Sequence, residues 1–469
     1  MKNPNGKIGI GIITHNRPDV FRATLKRIKN TLPAGAKLVV VDDASEVPCP
    51  DATYRFKKNV GIATAKNKCF ELLDDCEHIF LFDDDCYPRR KGWEKPYIAS
   101  PEPHLMYLFQ HLRNQKLHDA KFVYEDSRHF ALSHPRGCML YFHRSVLDIA
   151  GGMDTRYAKW GNEHGDLSNR IYNLGLTSFR YMDVVGSSAL MYSGDEEQAV
   201  ETTVKGTLRH RYLVRTKERY QKSLTSTAYF PYKKGAKRKL PKVKATKAVV
   251  VCSFFNGYTD TQRGKTWAAD YKMLDALRLS VNGHKRKLAI THNCFKGKKD
   301  SELVEHVYMP QGASPYFQRW LAVWQYLRAN PDIKQVFAVD STDVEMLHDP
   351  FKKMQPGVLY VGDEKQILGC QWMRKTVRHK DLSEFIAVHY RYTLLNCGVI
   401  GGSREDVMKL CRMMYDLLFT KYPNEITEMP VFNYILNEKW SGSEVSFGRH
   451  VTTVFKKNER DVPAWFKHK

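Results

Sequence analysis

The chain has 469 residues, of which 42% are hydrophobic and 12% aromatic, a composition that argues against global disorder. This length is sufficient for two or three domains, each with its own core. The formal net charge of +23 at pH 7 would attract polyanions such as nucleic acid, anionic lipid or phosphorylated substrates. A basic surface without a specific partner would give the same composition.

The ten cysteines are scattered without a CxxC pair, and several lie in apolar runs, so we expect reduced, buried thiols in a reducing compartment. The N-terminus leads into a strand without the apolar region of a signal peptide, and no run reaches the roughly 18 apolar residues of a membrane span. We therefore predict a soluble, cytoplasmic protein of a bacterium or an infected host cell, without a membrane partner. The sequence indicates no particular oligomeric state.

An acidic triplet, Asp83, Asp84 and Asp85, follows the apolar run 79–82. Four consecutive apolar residues suit a strand that is buried on both faces, and Pro88 indicates that the strand has ended. The carboxylates would then lie at the carboxyl end of the strand, where open α/β sheets bind ligands. Because adjacent acids repel one another, the triplet indicates either a divalent metal site or a solvated acidic turn.

Strands and helices alternate ahead of this triplet. Apolar strands are predicted at 8–13, 38–41 and 79–82, and helical periodicity separates them. Polar residues follow each strand. This order predicts a mostly parallel α/β sheet whose polar residues collect at one edge.

Four runs in this region, IGIITHNRPDVFRATLKRI, LVVVDDAS, NVGIATAKN and FLFDDD, resemble the nucleotide-binding half of GT-A glycosyltransferases of the large inverting family 2. The resemblance implies a nucleotide-sugar site and a metal site at the sheet edge. The residues that it assigns to the nucleotide-sugar are Thr14, Asn16, Arg17, Asp43 and Asp84, and those that it assigns to the metal are Asp83 and Asp85. Mn²⁺ or Mg²⁺ held there would neutralise the charge of the departing diphosphate.

The run WGNEHGDLSNR at 160–170 is similar to the acceptor-side motif of the same family, in which an acid takes the proton from the attacking hydroxyl. In relatives with the Trp-Gly-Gly-Glu-Asp form, the residue after the Glu is the usual base, and here that residue is His164. The base therefore stays open between Glu163, His164 and Asp166. The alternative is that the two acids only cap a helix.

A basic stretch, residues 203–247, contains fifteen Lys or Arg residues and one acid, Glu218, with aromatic residues between them. Such a pattern could contact phosphates and stack on bases, or it could be a solvated segment. Pro and Gly residues favour a linker over a helix in its second part.

Three runs in the second half, VFAVDSTDVEML, LNCGVIGG and TEMPVFNYIL, resemble a different kind of GT-A domain, that of the retaining family 8. By this resemblance the metal ligands are Asp340 and Asp343, with His450 as the late His ligand, and the nucleotide-sugar residues are Asn396, Gly398, Glu428 and Asn433. The acidic pair is D-x-x-D where the family has D-x-D. The domain is therefore either active or a degenerate version.

We predict a tandem of two α/β GT-A domains. Residues 1–224 form the family 2-like domain, 225–247 a basic linker and 248–469 the family 8-like domain. The predicted protein is a metal-dependent glycosyltransferase that moves a hexose or pentose from a nucleotide-sugar, with a UDP-sugar as the expected donor, to an acceptor hydroxyl. One Mn²⁺ or Mg²⁺ is expected per active domain, and two active domains would allow two sequential transfers.

The high positive charge favours DNA as the acceptor, with hydroxymethylated bases as in bacteriophage DNA modification. Such a base would have to leave the duplex stack to reach the site. One alternative is an enzyme that glycosylates a protein or a surface-glycan precursor. Another is a nonenzymatic protein that binds sugar or nucleic acid on a degenerate transferase scaffold.

Overall fold

The structure is a computed structural model that describes residues 5–110, 112–113, 116–117, 119–157, 159, 161–197, 206–239, 247–260, 264–448, 450–452 and 464–468. The chain divides into two compact units, Met1–Pro241 (unit 1) and Lys242–Lys469 (unit 2). No helix in these described ranges is both long enough and apolar enough to cross a membrane.

Unit 1 contains thirteen strands and six α-helices in its described residues. The strands are β1 (Ile8–Thr14), β2 (Lys37–Asp42), β3 (Tyr54–Arg55), β4 (His78–Phe82), β5 (Cys86–Pro88), β6 (His104–Met106), β7 (Leu112–Arg113), β8 (Lys116–Leu117), β9 (Phe122–Glu125), β10 (His129–Leu132), β11 (Met139–His143), β12 (Met182–Val184) and β13 (Met191–Ser193). The helices are α1 (Pro18–Thr31), α2 (Ile62–Leu72), α3 (Lys95–Ala99), α4 (Arg144–Ala150), α5 (Glu163–Asn173) and α6 (Gly206–Ser223).

The central sheet of unit 1 has the strand order β3-β2-β1-β4-β11-β6. Strands β3, β2, β1 and β4 run parallel, and β11 is antiparallel to both β4 and β6. Every residue of β4 is buried, as expected for a strand covered on both faces. The parallel strands therefore deliver their following residues to one edge, and the acidic triplet comes directly after β4.

Two glycines let helix α2 pack closely on β1. A Cβ on Gly11 would lie 2.8 Å from Cys69 Cβ, and a Cβ on Gly9 would lie 2.9 Å from Cys76 Sγ. Contacts this short exclude any larger residue without movement of the helix or the turn that follows it. The close packing brings the N-terminal half of α2 to the same sheet edge as the triplet.

Residues 225–239 of the predicted linker belong to unit 1, whereas Lys247 begins a strand of unit 2. Tyr232 is buried in the core of unit 1, and Phe230 accepts a hydrogen bond from Gly152 N at 2.7 Å. Residues 206–223 of the basic stretch form helix α6. The linker residues 240–246 lie outside the described residues.

Unit 2 contains nine strands and six α-helices in its described residues. The strands are β14 (Lys247–Phe254), β15 (Lys287–His292), β16 (Val304–Tyr308), β17 (Ile333–Val339), β18 (Val344–Met346), β19 (Val358–Ile367), β20 (Thr393–Ser403), β21 (Glu444–Ser446) and β22 (Phe466–His468). The helices are α7 (Asp275–Gly283), α8 (Pro315–Ala329), α9 (Gln371–Thr376), α10 (Lys380–Val388), α11 (Arg404–Thr420) and α12 (Met429–Tyr434).

The sheet of unit 2 has the strand order β16-β15-β14-β17-β20-β19-β21. Strands β16, β15, β14 and β17 are parallel, whereas β20 is antiparallel to β17 and β19. The predicted α/β class is thus confirmed in both units. Strand β17 ends at Val339, directly before Asp340, and Val344 begins a separate strand, β18, which pairs with β22.

Phe337 lies at the centre of the unit 2 core and is fully buried, with its ring 4.9 Å from that of Phe466. A Cβ on Gly401, its partner on β20, would lie 2.2 Å from the Phe337 ring. The ring of Phe337 therefore fits between β17 and β20 only because residue 401 is glycine.

We expect Phe337→Ala to lower the free energy of unfolding of unit 2 by about 3–5 kcal/mol, because it leaves a cavity in a closely packed core. Phe447→Ala is the matched control, since Phe447 is 48% exposed, and it should change stability by less than about 0.5 kcal/mol. Equilibrium denaturant unfolding of the two variants tests this. Equal losses for both would contradict the assignment of Phe337 to the core.

Candidate functional site

The acidic triplet of unit 1 lies just beyond strand β4, as the sequence predicts. Asp83 N donates to Cys138 O at 2.9 Å, which ties the start of the triplet to the segment before β11. Asp84 and Asp85 are buried, and Asp83 is partly exposed. Three carboxylates in this setting need positive partners.

Lys66 on helix α2 is the partner of Asp83. Its side chain is only 1% exposed, its Nζ lies 3.0 Å from Asp83 Oδ1, and it donates to Gly137 O at 2.9 Å. Burial alone would favour the neutral amine, but the charges of Asp83 and Glu163 raise the pKa of Lys66 above its usual value. Burial raises the pKa of Asp83 to about 7, although Lys66 opposes this. The sequence did not single out Lys66.

Arg17 is the partner of the other two acids. Its Nη1 donates to Asp85 Oδ2 at 2.9 Å, and its Nη2 donates to Asp84 Oδ1. Thr14 Oγ1 donates to Asp84 Oδ2 at 2.9 Å. Burial raises the pKa of Asp84 in spite of Arg17. The structure thus brings Thr14, Arg17 and Asp84, three of the predicted nucleotide-sugar residues, into direct contact.

Asn16 and Asp43 are the other two residues of unit 1 that the sequence assigned to the nucleotide-sugar, and both accept hydrogen bonds from backbone amides of the loops at this edge. Asn16 has a left-handed backbone, and its Oδ1 accepts from Glu46 N at 2.7 Å. Asp43 accepts from Val60 N at 2.7 Å and from Gly61 N at 2.8 Å, just before helix α2. Both side chains therefore connect successive loops of the sheet edge.

Glu163 and His164 begin helix α5 and reach the same edge. Glu163 is buried, and His164 Nδ1 lies 3.2 Å from its Oε1. Burial would raise the pKa of Glu163, but His164 and Lys66 lower it to about 2. Lys66 thus lies close to both Asp83 and Glu163 and connects two groups that the sequence predicted separately. A carboxylate with so low a pKa is a weak base at neutral pH. Trp160 of the motif lies outside the described residues.

Asp166, the third candidate base, belongs to a different group. It accepts from Arg170 Nε at 2.7 Å and from Tyr157 OH at 3.1 Å. Arg170 is fully buried and also donates to Gly152 O at 2.7 Å. This network joins α5 to the turn after α4. Asp166 thus contacts the side chains of Arg170 and Tyr157, which is neither a contact with an acceptor site nor the helix cap that the sequence left as the alternative.

Unit 2 has a cavity of about 450 Å³ at the carboxyl ends of β14 and β17. Aromatic residues and acids share its wall. The lining includes Phe254, Trp267, Tyr316, Trp372, Glu364 and Asn396. Such a mixture of apolar surface and a few convergent polar groups is typical of small-ligand sites.

Asp340, Asp343 and His468 form a group in the wall of this cavity, with ligand atoms that all lie within 4.8 Å of one another. His468 Nε2 is 3.3 Å from Asp340 Oδ2 and 3.8 Å from Asp343 Oδ2. Burial would lower the pKa of His468, but the two acids raise it. Two carboxylates and an imidazole are a suitable donor set for a divalent ion such as Mn²⁺.

His468, and not the predicted His450, is the histidine of this group. His468 lies on β22, opposite Val344 on β18, and this pairing carries it to the acids. His450 instead stacks on Trp465, with ring centroids 4.7 Å apart, and its carbonyl accepts from Trp465 N at 2.8 Å. The sequence could not indicate His468, because its position depends on the pairing of β22 with β18, which lies more than 100 residues earlier in the chain.

Gly398 makes room for His468. A Cβ at this position would lie 2.1 Å from His468 Cε1, so only glycine allows the imidazole to approach. Gly398 O also accepts from Asp340 N at 2.8 Å. The sequence assigned Gly398 to sugar binding. Its role in the structure comes from its backbone carbonyl and from the space that its missing side chain leaves.

Arg319 on helix α8 completes the charged part of the cavity. Its Nη1 lies 2.5 Å from Asp340 Oδ1 and 3.5 Å from Glu428 Oε1, and its Nη2 donates to Cys397 O at 2.9 Å. Burial raises the pKa of Glu428 to about 7, although Arg319 opposes this. Burial would also raise the pKa of Asp340, but Arg319 and His468 lower it well below its usual range.

Asn396 lines the cavity, whereas Asn433 does not. Asn396 Nδ2 donates to Glu364 Oε1 at 2.6 Å, and its Oδ1 accepts from Gly398 N at 2.6 Å. Asn433 is fully buried and bonds both the N and the O of Leu395 at 3.0 Å. Asn433 thus attaches helix α12 to β20 and supports the wall from behind.

The two acidic groups differ in how well a divalent ion fits. Among the described residues, Asp340, Asp343 and His468 are the only cluster of three potential ligands with atoms this close together. In unit 1, Lys66 faces Asp83 and Arg17 faces both Asp84 and Asp85. An ammonium and a guanidinium cannot coordinate a cation. The residues of unit 2 therefore fit an ion, and those of unit 1 as arranged do not.

No protein-family model and no curated protein matches the chain. Two of the solved structures that resemble it are glycosyltransferases. A structure of GalNAc-T7 with UDP, GalNAc and Mn²⁺ is 12% identical with a TM-score of 0.35, and the match covers 46% of this chain and 50% of that one. The mannosyltransferase PcManGT from Pyrobaculum calidifontis, in complex with GDP-Man and Mn²⁺, is 17% identical with a TM-score of 0.30, and the match covers 38% and 55%. The match thus spans about half the length of each of these structures, and neither assigns the chain to a family.

We expect Gly398→Ala to weaken Mn²⁺ binding about 10–100-fold, because the added methyl group would displace the His468 ring. Gly402→Ala on the same strand is the matched control, since its nearest neighbouring atom would be 3.4 Å away. Titration of both variants with Mn²⁺ measures the difference. Unchanged affinity in Gly398→Ala would mean that His468 is not a ligand.

Proposed function

We propose that the protein is a metal-dependent glycosyltransferase that transfers a sugar from a nucleotide-sugar, with a UDP-sugar as the first donor to test, at the cavity of unit 2. The main support is the group Asp340, Asp343 and His468 in the wall of a cavity of about 450 Å³. A divalent ion held by this group would neutralise the charge that develops on a departing diphosphate. The sequence resemblance to GT-A enzymes points to the same chemistry.

The other residues of the cavity suit the remaining tasks. Its aromatic wall offers flat apolar surface for a nucleoside base. Arg319 keeps Asp340 ionised and holds it in place through the contact of 2.5 Å. Glu428, whose pKa is raised to about 7 by burial, can accept a hydrogen bond from an acceptor hydroxyl as its carboxylate form increases above that pH.

We expect Asp343→Asn to lower the release of nucleoside diphosphate at least about 100-fold, because it removes a ligand charge from the ion. The measurement is hydrolysis of a panel of nucleotide-sugars in the presence of Mn²⁺. Asp300→Asn is the matched control, since this carboxylate is 62% exposed and lies outside the cavity lining. Full turnover by Asp343→Asn would move the reaction out of unit 2. A wild-type protein that binds nucleotide-sugar without turnover would favour the nonenzymatic alternative.

Unit 1 is a second candidate site for sugar transfer. Its support is the charged group at the sheet edge, where Lys66 contacts Asp83 and lies close enough to Glu163 for their charges to interact. If both units transfer sugar, the protein adds two sugars in sequence. Glu163 would then be the acceptor-side acid, in contact with His164.

The acceptor that we propose is DNA with hydroxymethylated bases. The support from unit 2 is a surface beside the cavity, the rim, formed by residues 365–378 and 387–392. Trp372 lines the cavity and is 39% exposed, and Tyr392 is 48% exposed. Tyr390 and Arg374 line a second cavity of about 490 Å³. Hydrogen bonds of 2.8–2.9 Å from Leu368 and Gly369 hold the tyrosine segment beside the tryptophan segment.

The charge of this region agrees with a polyanionic acceptor. Residues 365–392 contain six Lys or Arg residues and two acids. One of the acids, Asp381, is paired with Lys421, and the other, Glu384, lies 3.6 Å from Lys380. Exposed aromatic rings next to basic side chains are the usual surface for unstacked bases and their phosphates.

We expect Trp372→Ala to weaken binding of single-stranded hydroxymethylated DNA by about 1–3 kcal/mol, the usual contribution of one stacked base. Tyr308→Ala is the control, because Tyr308 is an aromatic residue of unit 2 that is 48% exposed, and this variant should bind as the wild type does. DNA binding over a range of salt concentrations, and nucleoside diphosphate release with and without this DNA, are the measurements. Binding that does not weaken as salt rises would contradict DNA as the partner. Stimulation by protein or glycan acceptors alone would favour the other enzymatic alternative.

A further inference from the structure

We propose that the acidic triplet of unit 1 is not a metal site, and that the described part of the chain binds one divalent ion, at Asp340, Asp343 and His468. The inference uses the proposed function only for the ion of unit 2. For unit 1 it rests on the side chains that already occupy the carboxylates of Asp83, Asp84 and Asp85.

Lys66 is a fixed counterion of the triplet. Its side chain is buried inside unit 1, and its Nζ is held by Gly137 O at 2.9 Å as well as by Asp83 at 3.0 Å. It also lies close enough to Glu163 for their charges to interact. An ion at Asp83 would therefore bring its charge next to a buried ammonium group that cannot turn out to solvent.

Arg17 occupies the other two carboxylates at once. One guanidinium nitrogen contacts Asp84 and the other contacts Asp85, in a two-pronged arrangement. Thr14 takes the second oxygen of Asp84 at 2.9 Å. A metal ion would have to break this arrangement and still remain beside Lys66. Four of the six carboxylate oxygens of the triplet are thus contacted by Lys66, Arg17 or Thr14, and the two cations among these side chains cannot act as metal ligands.

Unit 2 also has an arginine on its acidic pair, but the arrangement differs. Arg319 contacts Asp340 through Oδ1, which leaves Oδ2 of Asp340 and Oδ2 of Asp343 facing His468 Nε2. A neutral imidazole is a metal ligand, whereas lysine and arginine side chains are not. The group in unit 2 therefore offers two carboxylate oxygens and an imidazole nitrogen as donor atoms for an ion.

If unit 1 transfers sugar, Lys66 and Arg17 would supply the positive charge that faces a departing diphosphate, with no divalent ion involved. Turnover at unit 1 would resist a chelator, whereas turnover at unit 2 would stop.

The test is the number of Mn²⁺ ions bound per full-length chain, measured by electron paramagnetic resonance of free and bound Mn²⁺. We expect one ion for the wild type, none for Asp343→Asn and one for Asp85→Asn, with an affinity within about twofold of the wild type. Asp85→Asn keeps the shape of the side chain, so the two variants are matched. Thermal unfolding checks that both are folded.

Two ions per wild-type chain, or loss of the ion in Asp85→Asn, would overturn the inference and leave the proposed function of unit 2 standing. No ion in the wild type would overturn both the count and the proposed metal dependence. A second readout does not depend on the variants. The single Mn²⁺ should show hyperfine coupling to an imidazole nitrogen, and an ion without this coupling would overturn its assignment to His468.

Discussion

Buried carboxylates at the carboxyl ends of parallel strands are the constraint on which both units depend. The sheet topology delivers acids to this edge, where water is scarce, and an unpaired buried charge is strongly unfavourable. Each unit therefore positions a helix that supplies a cation: α2 carries Lys66 to Asp83, and α8 carries Arg319 to Asp340. The close approach of these helices to the strands follows from that requirement as well as from apolar packing.

In each unit, a glycine at the same edge leaves space for a histidine ring close to the backbone. In unit 1 a Cβ on Gly137 would lie 2.8 Å from His164 Nδ1, and in unit 2 a Cβ on Gly398 would lie 2.1 Å from His468 Cε1. Both glycines also use their carbonyls, since Gly137 O accepts from Lys66 and Gly398 O accepts from Asp340 N. In each unit a single glycine thus provides both an acceptor and the space for an aromatic ring. A side chain at either position would remove the space and leave the acceptor.

The sequence predicted what depends on neighbouring residues and missed what depends on distant ones. The strand before Asp83 and its acidic end follow from a local apolar run, so β4 lies within one residue of its prediction. Lys66 was missed because a lysine in a helix is usually exposed, although its neighbours Ala65 and Asn67 are also buried. His468 was missed because its place depends on the pairing of β22 with β18, which no local pattern indicates. Asn433 lies within hydrogen-bond reach of β20, but it faces the backbone and not the cavity.

The identity of the counterion, more than the spacing of the acids, distinguishes the two sites. By spacing, three consecutive acids are a better metal motif than the D-x-x-D of unit 2. Yet the cations at the triplet are an ammonium and a guanidinium, neither of which can bind a metal ion, whereas Asp340 and Asp343 face an imidazole, which can, beside the guanidinium of Arg319. The two cations of unit 1 therefore offset two of the three carboxylate charges without adding a ligand, whereas the histidine of unit 2 adds a donor atom for an ion. Two sheets with similar acidic edges can therefore differ in their need for a metal.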